Sequence, residues 1–138
     1  MKLKLTPIQQ VALALFFVTI GTFFIAPVPK ILLHLAATIG LALVLFLLFT
    51  VLSKKQKNLW NTIISALIIF LVLHYGLENK DIIYPLIATF LTIFSKFFLE
   101  YKGSPIINPV VFCLFGTYLL THIFPGLSGF IVSWWGTK

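Results

Sequence analysis

The chain has 138 residues, of which 60% are apolar and 9% charged, and its formal net charge is +7. Soluble domains carry about 25% charged residues, so this composition excludes a water-soluble globule, a disordered tail and a nucleic-acid-binding module. Three acids and ten lysines lie scattered between apolar runs and form no basic face, so the charge reads as membrane topology. Arginine is absent and Cys113 is the only cysteine. That removes bidentate guanidinium clamps, intramolecular disulfides and cysteine metal clusters.

Five apolar runs follow in chain order: Ile8–Val28, Ile31–Leu52, Leu59–Tyr75, Ile82–Leu99 and Ile106–Phe124. A hydrocarbon core of about 30 Å needs about 17–25 helical residues, and all five runs fit. They lack period-2 alternation and are too long for barrel strands, so helices are predicted. The expected fold class is all-α: one polytopic transmembrane helical bundle of about five spans over residues 1–138. The first run is read as a retained helix. It exceeds the usual signal-peptide length and ends in Ala26-Pro27-Val28-Pro29, with no small-x-small cleavage site.

Pro27 and Pro29 are expected to break the chain after the first span. Residues 53–58, 76–81 and 100–105 are the other connections. With the N-terminus inside, Lys2, Lys4, Lys54, Lys55, Lys57, Lys96 and Lys102 lie on the inner side, and Lys30, Lys80 and Lys138 on the outer. Seven against three predicts a multi-pass inner-membrane protein, N-terminus cytoplasmic and C-terminus outside. Trp60 and Tyr101 would anchor the inner interface, and Tyr75, Tyr84, Trp134 and Trp135 the outer one. The tail, residues 125–138, is too short to span and is expected to lie as an amphipathic segment on the outer surface.

Asn108-Pro109 reads as an N-cap followed by proline at the first helical position. That starts the fifth helix at Pro109 and leaves Pro105-Ile106-Ile107 as non-helical apolar chain. Such backbone at membrane depth is tolerated only inside protein or beside a cavity. A helix N-terminus there presents N–H groups and positive dipole to an anionic or carbonyl-bearing ligand. A plain helix start at headgroup level is the alternative. Lys96, with Ser95 before it and Glu100 one turn later, is a candidate intramembrane site. Its other reading is a snorkelling lysine paired with Glu100. Asn61 and Ser65 share a face of the third helix, flanked by Thr62 and Ala66. These, with Ala36, Ala37 and Gly40, and with Ala88, Thr89 and Thr92, are expected to mark helix–helix contacts. His34, His74 and His122 fall near outer helix ends and are read as interfacial, with no metal expected. Cys113 is read as a small buried residue.

Ser65-Ala66-Leu67-Ile68, Ser95-Lys96-Phe97-Phe98 and Tyr101-Lys102-Gly103-Ser104-Pro105-Ile106-Ile107-Asn108-Pro109 resemble the RnfD/NqrB-like family. Its members are membrane subunits of the Rnf complex and of the sodium-pumping NADH:quinone reductase. The family pattern is Ser-Lys-Tyr, a short basic stretch, Gly, and Phe-Asn-Pro opening a helix; Ile107 replaces the phenylalanine here. Trp134-Trp135-Gly136 also looks like the tryptophan-rich segment of some small relatives, so the likeness covers Asn61 to Gly136. The resemblance implies half of a ten-helix subunit built from two inverted halves, with redox-linked electron transport coupled to ion translocation. It implies cofactor-binding roles for Asn108, Pro109, Lys102, Gly103, Lys96 and Ser65. The Ser-Gly-Ala-Thr motif that carries covalent FMN in the family is absent. Ser128-Gly129-Phe130 lacks the threonine, which leaves noncovalent FMN or riboflavin. The lysine bias fixes one orientation, so the missing half is expected from other membrane subunits or from a parallel second copy. A small transporter or pore for a neutral or anionic solute is the alternative class. A ligand-free structural subunit is the third.

Overall fold

In the computed structural model, which describes residues 5–24, 28–73 and 82–124, five helices and one short hairpin follow one another. The helices are α1 (Pro7–Thr22), α2 (Val28–Ser53), α3 (Leu59–Val72), α4 (Ile83–Phe98) and α5 (Pro109–Ile123). Strands β1 (Glu100–Tyr101) and β2 (Ser104–Pro105) pair antiparallel between α4 and α5. The architecture among the described residues is therefore helical, as expected. Several boundaries differ from the apolar runs. His74, Tyr75, the loop at 76–81, Lys2, Lys4 and the tail 125–138 lie outside the described residues.

Thr6 and Gln9 close a capping box over the start of α1, with Pro7 in the first turn. The helix stops at Thr22, six residues before the apolar run does. Hydropathy reports what tolerates lipid, not where the helical bonds end: Phe23 and Phe24 donate to Ile20 and Gly21 in tight i→i−3 turns. Pro29 does not break the chain as expected. It lies in the first turn of α2, where a missing N–H leaves no bond unmade. At the other end the Ser53 hydroxyl donates to the Phe49 carbonyl, and Lys54 takes a left-handed φ of 55°.

A stripe of Ile31, His34, Thr38, Ala42, Leu45 and Phe49 buries one face of α2. The expected packing residues Ala36, Ala37 and Gly40 lie off it. Ala36 is exposed, Ala37 is half-buried, and a Cβ on Gly40 would meet nothing within 4 Å. The small side chain that brings α2 close is Ala42, at the correct phase of the stripe. In α3 and α4 all but one of the expected packing positions are buried, namely Thr62, Ser65, Ala66, Ala88, Thr89 and Thr92, whereas Asn61 is exposed.

The core has two clusters. Ala42, Leu45 and Phe49 of α2 meet Ala66 of α3 and Ile93 and Phe97 of α4. Ile69 and Leu73 meet Ala88 and Cys113. Phe49 presents its edge to Phe97 and Phe98 at centroid distances of 5.9 and 5.2 Å. Consecutive helices alternate in direction, so the starts of α3 and α5 and the ends of α2 and α4 share one end of the bundle. Lys54, Lys55, Lys57, Lys96 and Lys102 all gather there. Among the described residues α2 alone is long and apolar enough to cross a bilayer unaided. The other four helices, of 14–16 residues, are about 21–24 Å long at about 1.5 Å per residue.

Candidate functional site

At the lysine-rich end a cavity of about 400 Å³ opens between α3, α4, α5 and the β1–β2 hairpin. Two helix starts border it. Asn58 caps α3 by accepting from the Trp60 N–H at 2.9 Å, and Asn108 caps α5 by accepting from the Val110 N–H at 3.0 Å. Pro109 occupies the first turn of α5, as expected. Ile106 and Ile107 precede it as exposed, non-helical chain.

Lys96 extends from the last turn of α4 to the first turns of α3. Its Nζ donates to the Asn61 carbonyl at 2.6 Å and to Ser65 Oγ at 2.5 Å. Ser65 Oγ in turn donates to the Asn61 carbonyl. The pairing of Lys96 with Glu100 expected at i, i+4 spacing is not formed. That pairing needs helix through residue 100, but α4 ends at Phe98 and Leu99 leaves helical geometry at φ −100°, ψ 60°.

Glu100 instead faces the loop between α2 and α3. Lys55 Nζ lies 2.6 Å from Oε1, and Lys57 Nζ pairs with Oε2. Lys55 also donates to the Phe97 carbonyl at 3.1 Å, closing the C-terminal end of α4. The Lys55 hydrogen bond first, then that of Lys57, holds the Glu100 carboxyl below its ordinary value against the opposing effect of burial. The hairpin turns through Lys102 (φ 50°) and Gly103 (φ 81°), both left-handed. Two positive φ values match a type I′ turn, and glycine is the residue that adopts this geometry at least cost.

Five of the six residues singled out in the sequence line this cavity: Ser65, Lys96, Gly103, Asn108 and Pro109. Lys102 does not. Its ammonium sits 5.4 Å from the Tyr101 ring centroid on the exposed side of the turn. Lys57, Asn58 and Asn61 join the lining, though the sequence had marked them only as loop and packing residues. Two lysines therefore border the cavity. Among the described residues the nearest carboxylate is Glu100, already paired behind Lys57. Cys113 is fully buried and donates to the Val110 carbonyl at 3.0 Å. His34 is buried in α2 and not interfacial as expected, because it falls on the packed face of that helix, and the His122 ring lies tilted against Tyr118 near the end of α5. The arrangement suits electrostatic and hydrogen-bond retention of an anion. Comparison of the chain with protein-family models, with curated proteins and with solved structures found no match.

Proposed function

We propose that the chain is a five-span helical subunit of the inner membrane whose lysine-rich end lies in the cytoplasm and holds the phosphate of a noncovalently bound flavin. In this reading it is a half-length relative of the Rnf and quinone-reductase subunits and works beside other membrane subunits or a second copy. One observation carries it: Lys96, Lys57 and two asparagine-capped helix starts converge on one cavity. The membrane assignment is supported by an inverted surface. Phe17, Leu47, Trp60, Phe90 and Phe115, one on each helix, are exposed, while Thr19, Thr38, Thr62, Thr89 and Thr117 are buried. Water-soluble surfaces do not expose apolar patches on this scale. Helices of about 21–24 Å meet a core of about 30 Å through local thinning and flanking non-helical chain.

The donor set fits a phosphate. Lys96 and Lys57 supply ammonium groups and the helix starts supply dipole. Ile64, Phe97 and Val110 give the cavity apolar wall. A bound flavin would supply one- and two-electron transfer. The chain's own residues hold its phosphate and fix its place at the membrane surface.

The test is protein purified in mild detergent, read by visible absorbance and fluorescence before and after denaturation, then titrated with FMN and with riboflavin. Flavin released on denaturation, and FMN bound more tightly than riboflavin, are expected. Equal affinity for the two, or for neither, would overturn the phosphate site. Redox-independent solute flux in liposomes without flavin would favour the transporter reading.

A further inference from the structure

We infer that Glu100 is a built-in competitor for this anion cavity, holding Lys57 until a more highly charged anion takes that lysine from it. The inference rests on the anion-site reading above and adds the class of ligand admitted.

The two lysines of the cavity are held differently. Lys96 donates to a carbonyl and a hydroxyl, neither of which carries a full charge. Lys57 lines the same cavity but is paired with Glu100. An ammonium has three N–H donors, so Lys96 keeps one beyond its two protein partners, with its charge uncompensated. A singly charged ligand meets Lys96 alone. A ligand that also recruits Lys57 must outcompete a carboxylate. A phosphate monoester, with about −1.5 to −2 charge at neutral pH, can do so where a diester or a carboxylate cannot. The cavity is therefore selective for phosphate monoesters.

Occupancy then has a mechanical consequence. Glu100 begins the hairpin whose Gly103 and Pro105 wall the cavity, and the carboxylate is tethered on one oxygen by Lys57 and on the other by Lys55. When the ligand takes Lys57, the Glu100 carboxylate keeps only the Lys55 tether. Filling the cavity thus loosens one edge of its mouth.

The experiment is a fluorescence titration of full-length protein in detergent with FMN, for wild type, E100Q, K57Q and the double variant, each checked by thermal melting. Lys57 and Glu100 are partly buried, with side chains 26% and 10% exposed; even at the about 0.2–1 kcal/mol of a surface ion pair, freeing Lys57 in E100Q is expected to tighten FMN about 1.4- to 5-fold. K57Q is expected to weaken it, and E100Q added to K57Q to change nothing. Tightening of the same size in the K57Q background would mean a general field effect and overturn the inference. Wild-type binding unaltered by E100Q would overturn the competitor while leaving the anion site in place. Binding by E100Q alone would uphold the competitor and remove the flavin reading of the wild type. Absence of binding in every variant would overturn both.

Discussion

Replacing Lys96 with methionine separates the roles of this residue in folding and in binding. Its ammonium makes two hydrogen bonds, to the Asn61 carbonyl and to Ser65 Oγ. Neither partner is orphaned by the change, because the Ser65 hydroxyl still donates to the Asn61 carbonyl at 3.0 Å. The methionine stem keeps most of the packing, and a partly desolvated charge is removed. The cost to folding should therefore be small, within about 1 kcal/mol, since no buried polar group loses its last partner. Binding should respond differently. A hydrogen bond to a charged group is worth about 1.5–3 kcal/mol, which corresponds to about a tenfold to hundredfold rise in the dissociation constant for FMN. Titration by flavin fluorescence, with a melting curve on the same preparation, gives both numbers. A K96M protein that melts like wild type and binds FMN within about twofold of it would refute the assignment of Lys96 to the site.

Four further outcomes follow from the fold. Asn108→Ala removes the cap on Val110 and should cost about 1 kcal/mol, seen as faster amide exchange in the first turn of α5, whereas Asn108→Ser should retain most of it. Phe49→Ala removes a ring that touches Phe90, Phe94, Phe97 and Phe98 and should cost about 3 kcal/mol by thermal unfolding in detergent. Phe17→Ala, at an exposed position, should stay within about 0.5 kcal/mol of wild type. The Glu100 carboxyl titrates below its ordinary value, so its ion pairs stabilise the fold fully above about pH 4.3 and lose that effect as pH falls through the lowered value. The difference in melting temperature between wild type and E100Q should be constant near neutrality and shrink in acid; a constant difference down to about pH 3 would contradict the pairing.

Helix existence was legible because long apolar runs leave few alternatives, and helix starts were legible where a cap residue stands beside a proline. Asn108-Pro109 is such a place, and α5 begins there. Helix ends were harder to read. The first run continues through Phe23 and Phe24, and nothing in their hydropathy records that their N–H groups turn back three residues. The packing face of α2 was misphased for a related reason. Ala36, Ala37 and Gly40 are small, but size alone does not say which side of a uniformly apolar helix meets its neighbours. The phase is carried by His34 and Thr38, polar residues buried on the packed face of an otherwise apolar helix.

The site divides along the same line. Residues brought together by local sequence, Gly103, Asn108 and Pro109, were readable because turn and cap chemistry act over three or four positions. Lys96 was readable because a lysine in an apolar run is conspicuous, yet its partner was not. An i, i+4 rule holds only while the helix continues, and α4 stops two residues short of Glu100. Once Leu99 leaves helical geometry, the carboxylate swings to Lys55 and Lys57, 45 and 43 positions earlier in the chain. That frees Lys96 to reach across to α3, a contact that depends on α3 and α4 running antiparallel. In the sequence the lysines of the 53–58 loop served only to orient the chain in the membrane. Their second use follows from where α4 ends, since that end decides which lysines pair with the carboxylate and which one turns to α3 and the cavity.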